Sequence, residues 1–256
     1  MPTKKTLADR LSPDGPKKLL AFDGGGILGL LSIEFLAKIE DHLRSQSGRP
    51  DYVLADYFDY IAGTSTGAII ATCLSMGMTV DEVRAFYVDH GVEMFDSDWL
   101  FRRPLHRYSD EGLQGMLKRV VGEDTMLGSD KLRTLLMVVL RNATTDSPWP
   151  LSNNPAALYN NPTSPDCNLK LPLWQVVRAS TAAPTYFPPE VVDVGGHSFV
   201  FVDGGVTVFN NPALQLFMMA TLGAYKLGWP TGEKQMLLVS IGTGTCGFSS
   251  SVMCLS

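Results

Sequence analysis

Ser65 sits in Ile61-Ala62-Gly63-Thr64-Ser65-Thr66-Gly67-Ala68-Ile69-Ile70, a G-x-S-x-G pattern between a strand-like apolar run and a helix-like one. A serine nucleophile must project from a sharp, strained turn, and small residues such as Gly63 and Gly67 let the neighbouring chain approach without Cβ clashes. The amides that open the following helix then face the serine oxygen and favour negative charge there. The structural alternative is a plain strand-to-helix turn in which Ser65 caps the helix.

A second glycine cluster, Asp23-Gly24-Gly25-Gly26-Ile27-Leu28-Gly29, also lies between a strand-like and a helix-like run and contains G-x-G-x-x-G. In a dinucleotide-binding unit these glycines admit a pyrophosphate, and an acid about twenty residues further on binds the ribose. Glu40 and Asp41 stand near that distance but fall within an amphipathic helical segment, which weakens this reading. Consecutive glycines also leave bare backbone N–H groups free to converge on an oxyanion. The third reading is a glycine turn with no chemistry.

An activated serine needs a base. His42 and His90 lie on charged helical segments, His106 in a basic loop and His197 in a Gly-Gly-His-Ser turn, so all four histidines read as surface residues. Asp203 is better placed: it follows the apolar run Phe199-Val200-Phe201-Val202 and precedes Gly204-Gly205, at a strand end where α/β folds build their sites. A Ser–Asp dyad is one reading of this pair, and a turn-capping aspartate is the other.

The elements that must hold these residues follow from periodicity. Strands are expected at Lys18–Phe22, Tyr57–Ala62, Leu135–Leu140, Phe199–Val202 and Met236–Ile241, and helices at Leu30–Arg44, Ala68–Met76, Asp81–His90 and Leu173–Ala182, the last stopped by Pro184. Short apolar runs ending in glycine turns and followed by helices describe an α/β layered fold. The Pro/Asn-rich stretch Ser147–Cys167 reads as a surface loop. At 256 residues and 45% hydrophobic content the chain can fill a sizeable core.

With 21 Lys+Arg against 26 Asp+Glu, net charge −5, it has no surplus of cations for a nucleic-acid backbone. The four cysteines lack C-x-x-C spacing, which speaks against a zinc site or disulfide framework and for a reducing compartment. The uncharged windows Tyr60–Val80 and Gly204–Tyr225 are interrupted by Gly, Ser/Thr, Asn and Pro, so no bilayer-spanning helix is expected.

Together, Asp23-Gly24-Gly25-Gly26-x-x-Gly29, Gly63-Thr64-Ser65-Thr66-Gly67 and Asp203-Gly204-Gly205 resemble, in order, the signature of patatin-like phospholipases. Ala179-Ser180-Thr181-Ala182-Ala183-Pro184-Thr185-Tyr186-Phe187 and Ser240-Ile241-Gly242-Thr243-Gly244-Thr245 resemble further family segments, so the likeness covers residues 18–245. It implies a three-layer α/β/α sandwich with a largely parallel central sheet, related to the catalytic domain of cytosolic phospholipase A2. It further implies a lipid acyl hydrolase without cofactor or metal: Ser65 as nucleophile, Asp203 as base, and the amides of Gly24, Gly25 and Gly26 as oxyanion hole. The substrate would be a fatty-acyl ester or phospholipid.

The chain departs from the family at Leu28, where relatives often carry Arg or Lys. On this reading residues 1–17 are a flexible leader, and 246–256 a short tail that is truncated or altered. Trp99-Leu100-Phe101-Arg102-Arg103, with Arg107, offers aromatics and cations to a lipid surface, consistent with a cytoplasmic protein touching membranes peripherally. A transacylase on the same site, a dinucleotide-dependent oxidoreductase and a non-catalytic storage or interaction protein are the alternatives. Neither the lipid nor the oligomeric state is legible in the sequence.

Overall fold

The computed structural model describes residues 5–95 and 109–244. Its elements are α1 (Leu7–Leu11), β1 (Lys17–Phe22), α2 (Gly29–Ser47), α3 (Leu54–Tyr57), β2 (Tyr60–Thr64), α4 (Thr66–Ser75), α5 (Val80–Phe95), α6 (Ser109–Val121), β3 (Leu135–Asn142), β4 (Ser147–Ser152), α7 (Leu173–Ser180), β5 (Glu190–Val194), β6 (His197–Asp203), α8 (Ala213–Thr221) and β7 (Met236–Ile241). The seven strands form one mixed sheet in the order β5-β6-β3-β2-β1-β7, with β4 also on β3. β1, β2, β3 and β7 run parallel, whereas β4, β5 and β6 join by antiparallel pairings.

A strand covered on both faces shows up as alternate residues entering two cores. In β1, Leu20 and Phe22 pack with Ile33 and Leu36 of α2 and with α4 on one side. Leu19 and Ala21 face the other way, joining Leu216, Met219 and Ala220 of α8 and the buried Trp229. The result is the three-layer α/β/α sandwich expected from the sequence.

The register along β3 is what positions the site. A strand has two hydrogen-bonding edges, and β4 takes one of them from Met137 to Asn142. β2 and β6 must therefore share the other edge. β2 reaches its end with Thr64 opposite Val139, and β6, running the opposite way, ends with Asp203 opposite Leu140. Ser65 and Asp203 thus leave two strand ends that meet at adjacent rungs of one ladder.

Three expectations need adjustment. The stretch Ser147–Cys167 is not wholly a loop. Its first six residues are β4, whose Trp149 ring packs at an angle against Phe199 and Phe201, and Asn153, Asn154, Asn160 and Cys167 are buried. Pro148 and Pro150 disguise the strand, yet proline is tolerated on a sheet edge, where no donor is needed on the outer side.

Within the expected leader, Thr6 caps α1 and Arg10 is buried. Arg10 bonds Asp59 and the carbonyls of Ala55 and Phe58, while Lys5 also reaches Asp59. Burial of this cation is offset because Asp59 and two carbonyls meet both of its terminal nitrogens. Finally, β2 starts at Tyr60, because Leu54–Tyr57 forms a helical turn.

Candidate active site

Ser65 has φ 54° and ψ −124°, a conformation that a residue with a Cβ rarely adopts. It precedes α4, but its side chain caps nothing. Instead Oγ donates to Asp203 Oδ2 at 2.6 Å. The helix-cap reading of Ser65 is thereby replaced by a serine–carboxylate pair. The turn is as tight as the glycine spacing suggested, since a Cβ on Gly67 would sit 2.4 Å from the Phe22 carbonyl oxygen.

Asp203 is 5% exposed. Its Oδ1 accepts the Gly205 N–H at 2.6 Å, and its own N–H donates to the Ala182 carbonyl at 2.9 Å. It therefore caps its turn and faces the serine at once. Burial pushes its pKa above the ordinary carboxylate value, against the opposing pull of the Ser65 hydroxyl and the Gly205 N–H, which bond the ionised form. Gly204 is needed for close approach: a Cβ there would meet the Val139 carbonyl oxygen at 2.2 Å.

The Asp23–Gly29 loop lies beside Ser65, close enough that a Cβ on Gly24 would stand 3.2 Å from the serine Cβ. The three glycine amides are not equivalent. That of Gly24 donates to the Asn210 carbonyl at 3.2 Å, whereas no acceptor among the described residues takes the N–H of Gly25 or Gly26. The Gly24 amide is thus engaged, whereas those of Gly25 and Gly26 are open to an acceptor.

Its own carbonyl accepts the Thr243 hydroxyl at 2.9 Å, and Thr243 fills the space where a Cβ on Gly25 would go. Ser32 of α2 bonds the neighbouring Gly242 carbonyl. The Ser240–Gly244 segment thus braces the glycine loop. Gly29 opens α2 against Thr66, and Thr66 is itself bonded by the buried Tyr87 hydroxyl. Asp23, at the loop's start, has its Oδ1 sealed from solvent without a hydrogen-bond partner among the described residues, and burial raises its pKa.

The histidines stay away from this arrangement. His42 and His197 are exposed, His90 is part-buried against the Phe86 ring, and His106 lies outside the described residues. Trp99–Arg103 and Arg107 also lie outside them. Glu40, the acid nearest the dinucleotide spacing, is buried on α2 and bonded to Arg44 and to the Val80 N–H, so it is not held out for a ribose. No helix among the described residues is long and apolar enough to cross a membrane.

Ser180, Asn210 and Thr243 gained no role from the sequence. Their contribution is hydrogen bonding across separations of 115, 186 and 219 positions, for which no local pattern exists.

A strained serine on a strand-to-helix turn, bonded to a buried carboxylate and flanked by a glycine loop, defines a serine-centred α/β protein. The chain belongs to the patatin-like phospholipase family, whose model matches residues 20–217. It is 30% identical over 244 residues to Patatin-17 of Solanum cardiophyllum and 30% identical over 248 residues to Patatin group J-1 of Solanum tuberosum. Each match covers 89% of this chain and 60% of the relative, so the chain spans about 60% of their length. Among solved structures it is similar to VipD from Legionella pneumophila, with TM-score 0.42 and 16% identity, over 75% of this chain and 46% of that one.

Proposed function

We propose that the protein is a serine lipid acyl hydrolase of the phospholipase A type, working through a Ser65–Asp203 dyad. The observation that carries this reading is the 2.6 Å bond from Ser65 Oγ to Asp203 Oδ2 at a serine held at positive φ. Asp203 takes the hydroxyl proton as Oγ attacks an acyl-ester carbonyl, and the amides of Gly25 and Gly26 receive the oxyanion. The proton passes to the leaving alcohol, and a water deprotonated by Asp203 then releases the fatty acid from Ser65. A carboxylate is a weak base for a serine, and the burial that raises its pKa narrows that gap. Ile27, Leu28 and Leu31, all more than 40% exposed where the glycine loop enters α2, suit an acyl chain better than a charged substrate.

A fluorophosphonate probe tests the assignment, because it reacts with activated serines. The parent protein should be labelled at Ser65 and release free fatty acid from a mixed-lipid extract, whereas Ser65→Ala should do neither. Unlabelled parent protein refutes the hydrolase reading. Acyl groups recovered on a lipid alcohol instead of as free acid would reassign the second step to a transacylase.

The pH profile tests the base. Asp203 must be ionised to accept the proton, so kcat/KM should be full above its pKa and be lost as pH falls through it. Since burial raises that pKa, the acid limb should lie above the ordinary carboxylate range. The limb should stay in place in His42→Gln, His90→Gln, His106→Gln and His197→Gln, with turnover within about tenfold of the parent. A folded histidine variant that lost about a thousandfold would restore a triad.

A further inference from the structure

Ser65 and Asp203 meet at a break along the β3 edge, where β2 and the antiparallel β6 both end. In a continued parallel strand the N–H of Ser65 would look to a β3 carbonyl. It finds the Ser180 hydroxyl instead, at 3.0 Å, and that hydroxyl donates onward to the Val139 carbonyl at 2.6 Å. One side chain thus fills the break, accepting from one strand end and donating to the facing strand. Two residues later the Ala182 carbonyl accepts the Asp203 N–H. Ser180 is wholly buried, so it has no path to substrate. The chemical step described above uses neither bond.

We propose that residues 180–182, at the C-terminal end of α7, are a positioning bracket that sets the Ser65–Asp203 distance, with the Ser180 hydroxyl holding the nucleophile in its strained conformation. The proposal rests on the hydrolase reading and adds to it the residues that keep the dyad in register. A serine at φ 54° relaxes toward negative φ unless its surroundings oppose it. Rotation about that backbone would break the Ser65 N–H···Ser180 bond and carry Oγ off Asp203 together. Only a group that both accepts and donates can stand between an N–H and a carbonyl, and alanine does neither.

The test uses the full chain as parent, Ser180→Ala and Ser180→Thr, with a short-chain p-nitrophenyl ester, a fluorophosphonate and a crystal structure of Ser180→Ala. In Ser180→Ala, kcat and the labelling rate should fall about tenfold to a hundredfold while KM stays within about threefold, because geometry and not binding is disturbed. Ser180→Thr keeps a hydroxyl and should recover kcat to within about threefold of the parent. In the crystal, Ser65 should have left positive φ or its Oγ should have left Asp203. A Ser180→Ala enzyme with parental kcat, a Ser180→Thr enzyme as slow as Ser180→Ala, or an unmoved Ser65 in the crystal would each overturn the bracket.

Should Ser180→Ala fail to fold, Ser180→Cys takes its place, since its thiol is a weak donor and acceptor. Lowered kcat at unchanged KM then supports the bracket, and parental kcat overturns it. A parent that neither hydrolyses ester nor takes the probe refutes the hydrolase reading alone, and the Ser65 conformation in the variant crystal still decides the bracket.

Discussion

Ser65→Ala and Asp203→Asn should each lower turnover of a p-nitrophenyl ester by about a thousandfold or more, and the double variant should lose no more than the worse single one. The two side chains share one proton across 2.6 Å, so removing either ends the same step. Asparagine keeps the shape of Asp203 and its acceptor toward the Gly205 N–H, yet it cannot take a proton. Circular dichroism should report an unchanged fold for all three proteins. A double variant whose loss equals the product of the single losses would mean that serine and aspartate act independently, and the dyad would be wrong.

Gly63→Ala should unfold the protein or cost about 3 kcal/mol or more, at the upper end of what overpacking does in a core. The added Cβ would lie 2.0 Å from the Gly67 carbonyl oxygen, 2.2 Å from its carbon and 2.5 Å from the Ala68 nitrogen. All three are main-chain atoms of the turn and of α4, so no side chain can swing aside. For a chain of this size such a loss lowers Tm by roughly 6 to 12 °C. Gly112→Ala on α6 is the control: nothing lies within 4 Å of its Cβ, and helix propensity alone should leave Tm level or slightly raised. A Tm for Gly63→Ala within about 2 °C of the parent would show that the turn yields more readily than its packing implies.

These two results depend on features that were legible in the sequence for a common reason. The glycines around Ser65 and the run Asp23–Gly29 are local constraints, written within a few residues because a turn must be made there. Asp203 was legible from an apolar run ended by two glycines. The meeting of the two was not, because it depends on β2 and β6 sharing one edge of β3, a register set by pairings between distant segments.

Distance in sequence also hid the role of Ser180, whose two bonds reach Ser65 and Val139. β4 was hidden by Pro148 and Pro150, which read as breakers until an open edge is available to receive them. The difference among the three glycine amides was not legible either, since no local pattern announces that the Asn210 carbonyl accepts from Gly24.

The pairing of β7 with β1, Lys17 with Met236 through to Phe22 with Ile241, adds an edge strand that is synthesised long after its partner. Thr243, which braces the glycine loop, follows β7 immediately. At typical synthesis rates of about 5–20 residues per second, more than ten seconds separate the emergence of β1 from that of β7. Until β7 arrives, the Asp23–Gly29 loop lacks the Thr243 brace, and for most of that interval Asp203 has not been made either. The framework around the glycine loop is therefore complete only once β7 and Thr243 have been synthesised and β7 has paired back onto β1.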